Sequence, residues 1–303
     1  MTGIEFPAPA EWSERIEAHL AGQVATEPAR LAATVVLLRE PGGTSAPSAA
    51  PDSASASASL STSASASAPE VYLLKRSATM SFAGGRYAFP GGRVDPRDSE
   101  TPVAWSGPAP EEWAARFDCS AADARALVIA VVRETFEETG VLFAGPSPTS
   151  VVTSTVGDDW EAERHALETR ELSLSELLTR HSLVLRTDLL RAWARWTTPE
   201  FEPRRYDTAF FIAALPPGQQ TRDVSGEADG TLWTPAARAV ADHLAGTVSM
   251  LPPTISTLRG LAEYASVAEA LDAAAKRSFT PVTPRAERRA EGGFRLVYPA
   301  VEG

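Results

Sequence analysis

At 303 residues, 44% apolar and 22% charged, the chain is long enough to bury a substantial core and has the composition of a water-soluble globular protein. A formal charge of −11 argues against a nucleic-acid polymer as partner, because such proteins meet phosphates with a basic face; a small phosphorylated substrate held by a few local arginines remains compatible. Cys119 is the single cysteine, so neither an intramolecular disulfide nor a thiolate metal cluster can form.

No basic-then-apolar leader opens the chain and no apolar run approaches membrane-spanning length, so a cytoplasmic protein without membrane contact is expected. Residues 9–20 predict a short amphipathic helix within an N-terminal extension over 1–30. Residues 31–39 (LAATVVLLR) read as a buried strand. From 42 to 69 the composition collapses into Gly, Pro, Ser and Ala, which cannot bury enough apolar surface to offset chain entropy. This reads as a disordered insert within one domain. Residues 71–76 (VYLLKR) form the returning strand of a hairpin with 31–39, since closing a long loop costs little more than closing a short one. Phe89-Pro90-Gly91-Gly92 follows as a loop where backbone can approach a ligand without a Cβ in the way.

Residues 110–117 predict a helix, and 121–139 a longer one with Ser120 or its neighbour as N-cap and Gly140 at the left-handed C-terminal position. A helix over 172–181 begins near Ser173 or Ser175. Residues 189–196 lead into 207–215 (DTAFFIAAL), the strongest strand signal of the second half, with a short strand at 232–233. Thr234 and Pro235 open a helix to 244, and two further helices span 254–265 and 267–276. The tail from 281 to 303 stays polar until 294–301, which adds an edge strand.

The most informative segment is Arg133-Glu134-Thr135-Phe136-Glu137-Glu138-Thr139-Gly140-Val141. On a helix Glu134, Glu137 and Glu138 share one side. Three carboxylates in a final turn oppose the helix dipole by about 0.3–1 kcal/mol each, and a divalent cation would remove that cost. The alternative is a solvated acidic face with Arg133 and Glu137 as a surface pair. Taken with Gly91-Gly92, the string resembles the signature of the Nudix hydrolases, G-x5-E-x7-R-E-U-x-E-E-x-G-U with U a bulky aliphatic residue. The match sets Gly92 on the opening glycine and Arg133 to Val141 on the core. Asp98 stands where the family has its first Glu, Thr135 occupies an aliphatic position, and 34 residues rather than seven separate Asp98 from Arg133. An expanded box is similar to the branch of coenzyme A and acyl-coenzyme A diphosphatases, as are Leu74-Lys75-Arg76-Ser77, Met80-Ser81-Phe82, Thr197-Thr198-Pro199, Arg204-Arg205-Tyr206-Asp207-Thr208 and Leu251-Pro252-Pro253-Thr254.

The resemblance implies an α+β fold, an α/β/α sandwich on a mixed sheet. It sets a Nudix domain at 31–250 with its box expanded over 99–120, helices at 251–280 packed on it, and a tail at 281–303. It also implies hydrolysis of a diphosphate linkage with Mg²⁺ or Mn²⁺. Glu137 and Glu138 would be metal ligands, Glu134 a third ligand or the water-orienting base, the Gly91 carbonyl would complete the shell, and Arg133 would hold the carboxylates. Asp98 and Glu227, with Asp229 behind it, are candidates for an additional acid; Arg76 and Arg205 are candidates for substrate phosphate; Tyr206 is a candidate for base stacking. The substrate expected is coenzyme A or acyl-coenzyme A, with NADH, ADP-ribose or dinucleoside polyphosphates as the alternative and a non-catalytic nucleotide sensor as a third reading. The partner expected is a small nucleotide substrate, and self-association as a homodimer is left open.

Overall fold

The structure, a computed structural model, describes residues 4–8, 10–42, 68–80, 83–100, 102–277 and 281–298. Most of the insert expected to be disordered (43–67) lies outside the described residues, as do Ser81, Phe82 and 299–303.

At the centre runs the strand Arg30–Arg39, buried at seven consecutive positions. A strand loses its apolar–polar alternation when both faces are covered. Ala33, Val35 and Leu37 belong to one apolar cluster, shared with the helix Ala121–Thr139. Val36 and Leu38 belong to a second, shared with the helices Ala236–Leu244, Pro252–Leu261 and Val267–Lys276. The result is the expected α+β sandwich.

Across the sheet the strands run Ala228–Pro235, Glu70–Arg76, Arg30–Arg39, Tyr206–Ala214, Arg191–Thr197. Tyr206–Ala214 lies parallel to Arg30–Arg39, from Tyr206 opposite Arg30 to Ala214 opposite Leu38, and the other pairings are antiparallel. The hairpin is present but short, pairing only Leu38 with Val71 and Arg39 with Glu70. Below it the two strands part, and Gly91–Arg93 takes the vacated edge of Arg30–Arg39. That parting brings the double glycine into the sheet.

Ser120 caps the long helix as expected, its hydroxyl accepting from the Asp123 amide at 3.0 Å. Gly140 ends it at φ 72°, with its N–H on the Phe136 carbonyl at 2.9 Å. Val128, Ile129, Val131 and Val132 are modest helix formers, yet all are buried, so packing rather than propensity holds this segment.

Several local expectations are corrected. Residues 9–20 split into a 3₁₀ turn, Ala10–Trp12, and a helix, Ser13–Leu20. The end strand Phe294–Tyr298 does not join the main sheet: it is the middle of a separate three-stranded sheet, between Ile4–Pro7 and Arg285–Arg288. Phe294, Leu296 and Tyr298 are its buried positions. A pairing between the two ends of the chain leaves no local signature. The strand at 232–233 extends over Ala228–Pro235, because Glu70–Arg76 supplies it a partner along its length. The following helix starts at Ala236, with Pro235 rather than Thr234 in the cap position. The helix expected at 254–265 begins and ends earlier, at Pro252–Leu261. The helix Asp158–Glu168 was not anticipated; it has little apolar periodicity, but Asp158, Asp159 and Glu161 favour its N-terminus. Among the described residues no helix is long and apolar enough to cross a membrane.

Candidate active site

Gly92 is required by its neighbour: a Cβ there would stand 2.5 Å from the Glu134 carboxylate. Gly91, at φ 151°, would drive a Cβ to 2.3 Å from the Ala33 carbonyl oxygen. The Gly91 amide donates to Glu138 Oε2 at 2.8 Å. The glycine loop and the end of the long helix are thus in direct contact.

Arg133, 6% exposed, organises the rest. Nε and Nη2 donate to the two oxygens of Asp98 at 2.9 and 3.0 Å, and Nη2 also reaches the Arg93 carbonyl at 2.9 Å. Nη1 donates to Glu134 at 2.8 Å and to Glu137 at 3.3 Å. The guanidinium's five N–H groups therefore all have an acceptor. Asp98, 3% exposed, also accepts from the Asp95 amide at 2.8 Å. Offered by the sequence as a candidate additional acid, Asp98 instead gives both its oxygens to Arg133, and its short side chain anchors the guanidinium from below. Asp95 is itself gripped by Arg97, whose hydrogen bonds hold it down to about 2.

Three carboxylates, Asp98, Glu134 and Glu137, share a single guanidinium, and the charge of Glu134 bears on a fourth, Glu138. Burial pushes Glu137 up to about 7 and raises Glu134; it raises Glu138 further, reinforced by the charge of Glu134. This excess of enclosed negative charge, presented entirely by oxygen donors, fits a hard divalent cation. The acids do not yet form a cage: among the described residues no three Asp, Glu, His or Cys side chains are gathered on one point, because Glu134 and Glu137 are turned onto Arg133. Gly91 meets Glu138 through its amide, so a carbonyl ligand there stays a proposal.

Sequence reasoning missed Arg164, on the unanticipated helix. Its Nη1 donates to the Glu137 carbonyl at 2.8 Å, and its side chain pairs with Glu161 and Glu168. A cation on the terminal carbonyls offsets the dipole penalty that the three glutamates incur. The Glu161/Arg164/Glu168 spacing was the available signal. Thr135, the departure at an aliphatic position, is fully buried and satisfied by the Val131 carbonyl at 2.5 Å.

The glutamates open onto a cavity of about 790 Å³. Arg76, Glu227 and Tyr206 line it, as expected of candidate residues, and so do Arg86, Arg93 and Arg204. Glu227 bears electrostatically on both Glu134 and Glu138. Asp229 is not in the lining; it accepts from the Ala78 amide at 3.1 Å. Arg205 is corrected too: it is absent from the lining, because its guanidinium ties the Glu27 carbonyl (2.7 Å) to the Thr198 carbonyl (3.2 Å).

The family model described as the NUDT19 Nudix domain matches residues 100–261, more than half of the chain, including Arg133 to Gly140. The chain belongs to the Nudix hydrolase family. Within it, this Nudix protein is 24% identical over 242 residues to the acyl-coenzyme A diphosphatase NUDT19 of Xenopus laevis, covering 66% of the chain and 61% of the relative. It is 26% identical over 230 residues to the Homo sapiens protein of the same name, covering 65% and 61%. The chain thus spans about three fifths of the length of these curated relatives. The crystal structure of a NUDIX hydrolase from Alicyclobacillus acidocaldarius superposes with a TM-score of 0.62 at 26% identity, covering 82% of this chain and 97% of that one.

Proposed function

We propose that this Nudix protein is a divalent-metal-dependent diphosphatase that adds water across the diphosphate of coenzyme A or acyl-coenzyme A, giving 3′,5′-ADP and (acyl-)phosphopantetheine. The observation that carries this reading is the Arg133-centred carboxylate cluster beneath Gly92, open to a cavity lined by arginines. The names of the curated relatives support the substrate class.

Glu134, Glu137 and Glu138 would hold Mg²⁺ or Mn²⁺ in this reading. When bound, such an ion neutralises diphosphate charge and acidifies a coordinated water. Arg133 keeps the glutamate side chains aligned and Asp98 keeps Arg133 aligned. Glu227, facing the same acids across the cavity, is the candidate for accepting the water's proton. Arg76 and Arg86 are the candidates for the substrate's phosphates.

The deciding test incubates the chain and Mn²⁺ with coenzyme A, its acetyl and octanoyl thioesters, NADH and ADP-ribose, and resolves the products chromatographically. 3′,5′-ADP is expected from the coenzyme A compounds. Cleavage of NADH or ADP-ribose with coenzyme A untouched would replace the substrate class, and no turnover of any compound would favour the sensor.

A second expectation follows from Glu137. Its carboxyl, raised to about 7 by burial, is partly protonated near neutrality, and a cation ligand must be ionised. Mn²⁺ uptake should therefore release protons at pH 6.5 and strengthen as pH rises towards 8. Calorimetry in two buffers of different ionisation enthalpy measures the release; none at pH 6.5 would contradict the assignment.

A further inference from the structure

The cavity continues past the glutamates to the other side of Arg30–Arg39. There the sheet register sets Ala32 beside Thr208 and Thr208 beside Trp196, with Thr34 beside Phe210 in the next row. All five line the cavity, so small side chains form a trough between an indole and a phenyl ring. Its other wall comes from both ends of the chain: Trp12 from the N-terminal turn, and Leu296 and Tyr298 from the strand Phe294–Tyr298. At its rim Arg15 and Glu202 pair at 3.0 Å, cancelling one another's charge.

Two residues that line this arm each carry a shielded polar atom without a partner. Trp196 is 4% exposed, and its Nε1 donor is buried with no acceptor. Glu202 Oε1 is buried with no donor. Unmet buried groups of this kind are costly.

Strand order separates this arm from Arg76 and Arg86. Gly91–Arg93 pairs with Arg30–Arg39 on the edge away from Tyr206–Ala214, and Arg76 and Arg86 lie on the same side as the glycines. A substrate cleaved at the glutamates therefore extends in two directions: towards Arg76 and Arg86, and into an aromatic trough where Arg15 is paired with Glu202. We infer that the trough binds the uncharged half of the substrate, with the acyl chain over Ala32 and Thr208 between Trp12 and Phe210. The phosphate-bearing nucleotide half lies towards Arg76 and Arg86. This rests on the proposed coenzyme A reading and adds to it that the chain's two termini build the acyl-recognition surface.

The test is calorimetric titration of the full chain with 3′,5′-ADP and with the S-acetyl and S-octanoyl thioesters of 4′-phosphopantetheine, for the wild type and for Thr208→Trp, which fills the trough. Each buried methylene strengthens binding several-fold, so the octanoyl compound should bind the wild type at least about ten-fold tighter than the acetyl one. In Thr208→Trp that ratio should fall below about two-fold, while 3′,5′-ADP still binds. Trp12→Ala, which removes one wall without touching the sheet, should lower the ratio several-fold and provides the result if Thr208→Trp does not fold. Equal binding of both thioesters to the wild type would overturn the inference. So would loss of 3′,5′-ADP binding in Thr208→Trp with the chain-length ratio intact, since the nucleotide would then occupy the trough. If neither half binds the wild type, the coenzyme A reading falls, and this inference falls with it.

Discussion

Replacing Arg133 with alanine is expected to destabilise the protein by about 3–5 kcal/mol at pH 7.5, the range for removing one partner from a buried charge network. The guanidinium is the shared donor for Asp98, Glu134 and Glu137 and for the Arg93 carbonyl. Without it Asp98, 3% exposed, keeps only the Asp95 amide among its donors described above, and Glu134 and Glu137 lose the charge that offsets their burial. Lysine should recover only part of the loss, because three donors on one nitrogen cannot span acceptors fanned around a plane. The deficit has a pH signature. Burial already raises Glu134 and Glu137 in the folded state, and loss of Arg133 raises them more. An acid whose folded value exceeds its unfolded value of about 4.3 destabilises the fold as pH rises past that value. The gap between variant and wild type should therefore be smaller at pH 5 than at pH 7.5. Urea denaturation at both pH values measures it; a loss below about 1 kcal/mol, unchanged between them, would remove Arg133 from the centre of the site.

The second large effect runs in opposite directions for stability and activity. Glu138→Gln should lower turnover at least about 100-fold while making the metal-free protein more stable, by about 1–2 kcal/mol at pH 7.5. Glutamine's carbonyl can still accept from the Gly91 amide, and the substitution removes a carboxylate that burial and the charge of Glu134 push well up. The ionised form is disfavoured in the fold, so the wild type loses stability as pH rises above about 4.3, and the variant lacks that contribution. A thermal midpoint about 2–4 °C higher is expected for metal-free Glu138→Gln. Saturating Mn²⁺ should reverse the order, because an ion stabilises the fold in proportion to its binding, and the wild type binds it more tightly. If the variant melts lower than the wild type without metal, or if Mn²⁺ stabilises both alike, Glu138 is not a ligand.

The long helix with Ser120 and Gly140 at its ends, the side on which its glutamates gather, and the buried central strand were all legible in the sequence. Each depends on contacts a few residues apart or on a run of residue types. Arg205 against Arg204 shows where that legibility stops. Adjacent arginines look alike in a sequence, but one ties two backbone carbonyls together and the other lines the cavity. Asp98, a candidate acid from the sequence, illustrates the same limit: only its burial beneath Arg133 commits both oxygens to the guanidinium.

By itself the sequence determined that a helix would end in three acids on one side and that a bare double glycine precedes it, because helical periodicity, capping and the bareness of glycine are local properties. Which cation those acids turn to, which arginines reach the cavity, and that residues near 12 and near 296 wall one trough were decided by tertiary structure alone. Those relations join positions tens to hundreds of residues apart, and chain folding rather than spacing sets the distances over which charge and packing act.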